Sequence, residues 1–375
     1  MPSQNILFFT CFNVRSIHIE SSVLYFKDRG YNVFFLTTCE SGPIHKELIS
    51  KNVIVNEISI GNSKGIFRYI KMISFLIKYS KMNQIDFIYS HLQIPNLVSS
   101  ISRFFIKAKV FTVRHNSDVI ELSGNYKEIV IEKIINKLSK YIIAISDKVK
   151  DQLIKKENVN PSKIIRINNG YDFKGYEMFS NGKNEAIEIR EKYACDLLIV
   201  SPGRLIKTKR HDITIKGIDE LLLKGFDVKL LILGDGPDFD ALNNVISDIK
   251  LTDKVFLLGY CENISDYLKA ADVVTLLSES EASSNIVKEA AYFEKPVIVC
   301  ENVGDFSDYI EHEKNGFLVS KTNPLPQFLN IVEHIYLNRN SSKVLGKSLK
   351  EAVMNEFSIL KVGLKYEELQ QKVSE

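Results

Sequence analysis

Short apolar runs alternate with longer stretches of helical period along the whole chain, and this rhythm restricts the fold most. Ile6–Phe9, Val33–Leu36 and Leu197–Val200 are apolar at every position. A strand with one wet face alternates apolar and polar residues, whereas a strand covered on both faces does not. Such runs separated by helices specify βαβ units and a parallel sheet. In the first half they are Asn5–Thr10, Asn32–Thr38, Val53–Ile58, Asp86–Ser90, Lys109–Arg114, Tyr141–Ser146 and Lys163–Ile167. Helical patterns between them include Ile17–Arg29, Ile66–Met82 and Tyr126–Leu138. The segment Asn168–Asp196 breaks the rhythm with Gly, Asn and charge, and is expected to form the linker, with a helix at Glu185–Tyr193. A second series follows: Leu197–Ser201, Val228–Leu233, Val255–Leu258, Val273–Leu277, Pro296–Cys300 and Gly316–Val319. Its helices fall near Asp212–Leu223, Asp238–Ile249, Ile264–Ala270, Asn285–Phe293 and Pro326–Leu337. The expected architecture is α/β, with Rossmann-like domains at 1–175 and 176–355 and a last helical segment at 356–375. The chain is long enough to give both domains a full core. Two facing domains of this kind place ligands in the cleft outside the carboxyl ends of their strands, so functional residues are expected just after strands.

Composition narrows the class. With 45% hydrophobic and 25% charged residues, the chain is neither disordered nor fibrous. The five cysteines lie far apart without a C-x-x-C pair, which argues against a zinc ribbon or disulfide scaffold and for a reducing compartment. No apolar run is long enough to span a membrane, and the start "MPSQNILFFTCFNVRS" lacks the marks of a signal peptide. A cytoplasmic location is expected, at the inner face of the plasma membrane if the protein touches lipid. The net charge of +3 hides an asymmetry: residues 1–172 carry 24 Lys+Arg against 14 Asp+Glu, and the rest carries 25 against 32. A basic half attracts an anionic membrane surface, a nucleic acid or an anionic substrate; drift in a lysine-rich proteome is the plain alternative.

Four segments after strands can carry chemistry. In "SPGRLIKTKR", Gly203 permits a tight turn, and Arg204 and Lys209 offer a fork and a point charge suited to a pyrophosphate. In "LILGDGPDFDAL", Gly234 and Gly236 let the backbone approach a ligand closely, and Pro237 suits a first helical turn. The third glycine of a dinucleotide fingerprint would fall at Phe239, which weakens an NAD reading. In "SESEASSNIVKEAAYFEKPVIV", Ser283, Ser284 or Asn285 can cap a helix whose positive end suits a phosphate. Glu281 and Glu289 stand eight residues apart there, and a carboxylate can take two hydroxyls of a ribose or sugar at once. A capped surface helix with two solvated glutamates reads as well from this segment alone. In "FTVRHNSD", His115 follows a strand and can bond a sugar or acceptor hydroxyl or act as a base; a structural histidine is the alternative.

Taken in order, "GRLIKTK", "LLILGDGP", "VFLLGY", "DYLKAADVVTLLSESEASSNIVKEAAYFEKPVIV" and "NGFLV" resemble the nucleotide-sugar half of group 1 glycosyltransferases. These are the retaining enzymes of family four, with the two-Rossmann GT-B fold. "YIIAISDKVKDQLIKKENVNPSKIIRINNGYDF" is similar to the end of their acceptor domain, so the likeness runs from about Asn5 to Val319. The resemblance implies that 1–175 binds acceptor and 176–355 binds a nucleotide sugar, a UDP-sugar foremost. It implies that Arg204 and Lys209 hold the donor diphosphate, with Gly203 and Gly234 beside them, and that Glu289 binds the donor ribose. Glu281 would contact the donor sugar together with backbone N–H groups of Ser283, Ser284, Asn285 and Ile286. Gly259 and Tyr260 would wall the base, and His115 would lie next to the transferred sugar. No bound metal or cofactor is implied. Fixed cations and a helix dipole would steady the leaving diphosphate, which could take the acceptor proton itself. The final helix would cross back to the first domain near Phe357.

Two segments depart from the family. The loop after the first strand, "CFNVRSIHIE", has no glycine, and Asn13, Arg15, Ser16 and His18 are the candidates to contact acceptor or phosphate there. After Glu281 the family favours glycine and a bulky residue, where this chain has Ala282-Ser283-Ser284. On "FRYIKMISFLIKYSKMN", Arg68, Lys71, Lys78 and Lys81 share a helical face, and Arg103 and Lys107 add an i, i+4 pair. This stripe reads either as an interfacial surface for anionic lipid or as one solvated edge of a packed helix. The expected activity is a retaining, metal-independent transfer from a nucleotide-diphosphate sugar to a glycan or lipid-linked acceptor in surface polysaccharide synthesis. The rivals are a nucleotide-sugar 2-epimerase of the same fold and a silent partner subunit. Nucleic-acid binding fits poorly, since the basic half lacks interleaved aromatics.

Overall fold

The computed structural model describes residues 4–59, 61, 65–115, 124–179 and 184–375. Each strand-like run named above forms a strand, its ends shifted by a residue or two. The chain divides into two compact units: the residues up to Asp172 together with Phe357–Glu375, and Phe173–Glu356.

In the first unit, β1 (Asn5–Thr10), β2 (Asn32–Thr37), β3 (Ile54–Glu57), β4 (Phe87–His91), β5 (Lys109–Arg114), β6 (Tyr141–Ala144) and β7 (Ile164–Arg166) form one parallel sheet. Its order is β3-β2-β1-β4-β5-β6-β7. In the second, β8 (Leu197–Pro202), β9 (Val228–Leu233), β10 (Val255–Leu257), β11 (Val273–Leu276), β12 (Val297–Cys300) and β13 (Phe317–Val319) run in the order β10-β9-β8-β11-β12-β13. Both sheets reverse direction of growth beside their first strand, between β1 and β4 and between β8 and β11. A sheet wound in this way opens its ligand crevice at the carboxyl ends of those strands.

The first core shows why the strands read as unbroken apolar runs. Phe8, Tyr89, Phe111 and Tyr141 are register partners on four adjacent strands. Their rings follow one another at centroid distances of 5.5, 5.0 and 5.4 Å. The opposite face packs Leu7, Phe9, Leu36 and Ile88 against Met72 and Leu76 of helix Gly65–Met82. Cross-strand aromatic rows of this kind stabilise a sheet beyond area burial alone.

The last helix, Ile359–Ser374, belongs to this first unit. Tyr366 meets Tyr89 edge-on at 5.1 Å, and Gln370 Nε2 donates to the Tyr89 hydroxyl at 2.9 Å. Tyr171 N donates to Phe357 O, and Ile359 N donates back to Tyr171 O. Gly363 is required there: an added Cβ would meet the Tyr25 ring at 2.3 Å.

The basic stripe is only partly as expected. Lys71, Lys78 and Lys81 are exposed on helix Gly65–Met82. Arg68 is half-buried and close enough to Cys11 and Cys39 to act on both thiols, so it leaves the stripe. Arg103 and Lys107 are not a helical pair, because helix Gln93–Ser102 ends before them and Arg103 Nε donates to Leu138 O at 2.6 Å. Among the described residues no helix is long and apolar enough to cross a membrane.

Candidate active site

In the first unit, the switch point gathers the residues after β1 and β4. Asn13 ties two loops together: its Nδ2 donates to Glu40 O at 3.1 Å, and its carbonyl accepts from Ile44 N. Arg15, expected at the acceptor loop, is paired with two carboxylates of its own unit. Its Nε lies 2.8 and 2.9 Å from the two Glu20 oxygens, and Nη1 lies 3.3 Å from Glu47. Ser16 N also donates to Glu20, and Ser16 Oγ lies 3.2 Å from His18 Nδ1. The glycine-free loop is thus held by carboxylates.

His115 stands just past β5, half-buried. Its Nε2 lies 2.8 Å from Nδ1 of His91, the last residue of β4. The His18 ring sits 5.5 Å from that of His115. Burial pushes His115 down to about 4, and burial with two neighbouring imidazoles holds His91 well below the usual histidine range. Both rings are therefore neutral at pH 7. Arg114, the residue before, is clamped by Glu132 at 2.6 Å and Glu157 at 2.7 Å, which fixes the end of β5. His91 carries the same signal as His115, a histidine at a strand's carboxyl end, yet sequence reading passed over it.

In the second unit, the switch point gathers the loops after β8 and β11. Arg204 is exposed. Lys209 pairs with Glu281, so two residues expected at one site do meet. Glu279 N donates to Thr208 O at 2.7 Å, and Arg210 lies 3.4 Å from Glu279. Gly234 differs from its reading as a place where ligand approaches. Its φ is +138°, and a Cβ there would meet Gly203 O at 2.0 Å, so the close approach is chain to chain. Gly234 N donates to Gly259 O at 2.7 Å, and Gly259 takes φ +70° next to the exposed Tyr260.

The loop before helix Asn285–Tyr292 is held from below. Ser283 Oγ donates to Asp305 Oδ2 at 2.6 Å, so this hydroxyl does not cap the helix. Ser284 occupies the N-cap position without a side-chain bond to the helix, against the capping expected of it. Lys288 is fully buried and reaches Asp305 Oδ2 at 2.5 Å, Ser283 Oγ at 2.9 Å and Ser284 O at 3.1 Å. A charge buried this deeply persists only when paired and hydrogen-bonded, as here. Sequence reading missed Lys288; its position beside Val287 on the inner helix face was the signal. Gly304 lets the turn pack on Glu281, whose Cβ lies 2.8 Å from where a Gly304 Cβ would stand.

Ile286 is half-buried on the first turn of this helix, and Glu289 on the same helix is partly covered. Among the described residues, the shielded Glu289 Oε2 has no hydrogen-bond partner. Desolvation raises the carboxyl to about 7. A shielded carboxylate oxygen with no partner among the described residues, on the second turn of a helix, can accept donors from a ligand. Among the described residues no cluster of three metal-ligating side chains occurs.

Two family models match the chain: "Glycosyl transferases group 1" over residues 182–351 and "Glycosyltransferase Family 4" over 16–174. The chain belongs to the group 1 glycosyltransferases. This glycosyltransferase is 24% identical over 359 residues to the N-acetyl-alpha-D-glucosaminyl L-malate synthase of Bacillus anthracis, covering 91% of this chain and 89% of that one. It is 25% identical over 280 residues to a Campylobacter jejuni enzyme, N-acetylgalactosamine-N,N'-diacetylbacillosaminyl-diphospho-undecaprenol 4-alpha-N-acetylgalactosaminyltransferase, covering 72% and 74%. Anabaena HepE in complex with UDP superposes with a TM-score of 0.82 at 17% identity, over 98% of this glycosyltransferase and all of that chain. The fold is GT-B, as the sheet orders and this superposition show.

Proposed function

We propose that this glycosyltransferase moves a sugar from a nucleotide-diphosphate sugar, a UDP-sugar, to a glycan or lipid-linked acceptor. Transfer retains anomeric configuration and needs no bound metal. The observation that carries the donor reading is Glu289, with a shielded and unpartnered Oε2 and a carboxyl raised to about 7. The two hydroxyls of a ribose supply the missing bonds. Arg204, Lys209 and the uncapped start of helix Asn285–Tyr292 supply positive charge for the diphosphate. A diphosphate arriving at Lys209 competes with Glu281 and frees that carboxylate, with the Ser283–Ile286 backbone, for the sugar. Gly203, Gly259 and Tyr260 shape the walls around the diphosphate and base. His115 serves the acceptor half, with Asn13, Ser16 and His18 around it. HepE was solved with UDP, and the Campylobacter enzyme's name specifies a diphospho-undecaprenol acceptor. Both support the reading, and with it a role in surface glycan synthesis at the inner face of the membrane.

The test is a thermal-shift screen with UDP, GDP, ADP and CMP in EDTA. UDP at about 100 times its Kd adds roughly 2.7 kcal/mol to the native state. The expected result is a UDP-specific rise in Tm that disappears in Glu289→Ala and Arg204→Ala. A rise that requires magnesium would overturn the metal-free part, and a rise unaffected by both variants would overturn the donor site. NMR of the product's anomeric proton then reports retention directly.

A further inference from the structure

We propose that His91 is a positioning residue that holds His115 in the Nδ1–H tautomer, so that His115 meets its substrate as a hydrogen-bond donor and not as a base. The substrate role of His115 rests on the function proposed above; the tautomer does not.

The bond between His91 Nδ1 and His115 Nε2 is 2.8 Å long, and between two neutral imidazoles one nitrogen must carry the proton. If His115 donated, the His91 proton would sit on Nε2. His91 is only 5% exposed, and among the described residues nothing accepts a hydrogen bond from its Nε2. That arrangement leaves a buried N–H orphaned, the rarer and costlier defect in folded proteins. If His91 donates from Nδ1, its Nε2 keeps only a lone pair. The proton of His115 then lies on Nδ1, on the ring edge away from His91.

The surroundings enforce the choice. The His91 ring stacks on Phe8 at 6.1 Å with planes 14° apart, so it cannot swing to another partner without losing that contact. His18 lies beside His115, and Arg114 is turned into its two glutamates, so among the described residues no carboxylate is seen paired with either ring. With Nε2 accepting from His91 and Nδ1 protonated, His115 has no lone pair left to take a proton from an acceptor hydroxyl. It can donate to a sugar or acceptor oxygen.

The experiment uses the full-length protein labelled with 15N-histidine. Long-range 1H–15N spectra distinguish protonated from bare ring nitrogens, and His115→Gln assigns the signal. The expected spectrum shows His115 with Nδ1 protonated and Nε2 bare. His91→Asn, whose amide nitrogen can stand in for Nδ1–H, keeps that pattern. His91→Leu loses it, and UDP release from UDP-N-acetylglucosamine falls about tenfold, the size of one neutral hydrogen bond, while Tm moves little. A bare Nδ1 on His115 in the wild-type protein, or an unchanged tautomer in a folded His91→Leu variant, would overturn the proposal. If His91→Leu fails to fold, the wild-type spectrum and His91→Asn still decide. Full activity in His115→Ala with the tautomer confirmed would instead overturn the substrate role of His115 and leave the positioning intact.

Discussion

Glu289 makes the free protein less stable than it could be. Its folded pKa of about 7 lies above the ordinary 4.5, so between those values the native state holds a proton that the unfolded chain has released. Stability from this group is complete below about 4.5 and is lost as pH rises through 7. Glu289→Gln removes the penalty: at pH 8 its Tm should exceed wild type by roughly 2–4 °C, the effect of about 1 kcal/mol in a unit of this size. At pH 4 the two should nearly coincide. The same variant should lose most of the UDP shift, because an amide offers one acceptor where the carboxylate offers two. Equal Tm at both pH values would mean that the carboxyl is not desolvated. That Lys209 and Glu281 would lie together was legible in the sequence, because both follow strands and the chain order shows where strands end. The side-chain ties of Arg15 and Ser283 were not legible, because a polar residue in a loop can be held by a partner far away in sequence, such as Glu47 or Asp305.

Strands and helices differ in what their sequence discloses. The strands were legible almost to the residue, since two-sided burial leaves unbroken apolar runs. Their carboxyl-end clasps were not, because they join distant elements. Arg114 at the end of β5 is held by Glu132 of helix Tyr126–Leu138 and by Glu157, whose other oxygen accepts from Asn136 at 2.6 Å. Burial already raises the Glu132 carboxyl against the pull of Arg114. Arg114→Met would leave Glu132 and Glu157 without their shared counter-charge and should cost about 3–5 kcal/mol in urea unfolding at pH 8. The loss should shrink at pH 5, where Glu132 can take a proton. A loss independent of pH would show that the clasp acts through packing. On the last helix, Gly363→Val drives methyl groups into Tyr25 and should cost about 1–3 kcal/mol, read from the same curves.

Across the whole chain the charge divides with the fold. The excess of Lys and Arg lies in residues 1–172, and these make up nearly all of the first unit. Their exposed part coincides with exposed apolar side chains. Ile66, Phe67 and Ile70 stand out of the helix that carries Lys71, Lys78 and Lys81. Phe104 and Phe105, 58% and 57% exposed, line a cavity of about 700 Å³ with Lys81 and Lys107. Rings and methyls set among lysines suit the headgroup layer of an anionic bilayer, where each lysine contributes about 1 kcal/mol. The protein should therefore sediment with phosphatidylglycerol vesicles at low salt and dissociate as salt shortens the Debye length. Lys78→Glu with Lys81→Glu should weaken binding by more than tenfold, since each reversal removes an attraction and adds a repulsion. Phe104→Ser with Phe105→Ser should weaken it at every salt concentration, because insertion of rings is not screened. Phosphatidylcholine vesicles should leave the protein in solution. If it also stays in solution with phosphatidylglycerol at low salt, the lysines are a solvated edge, and a lipid-linked acceptor must reach the enzyme without help from this surface.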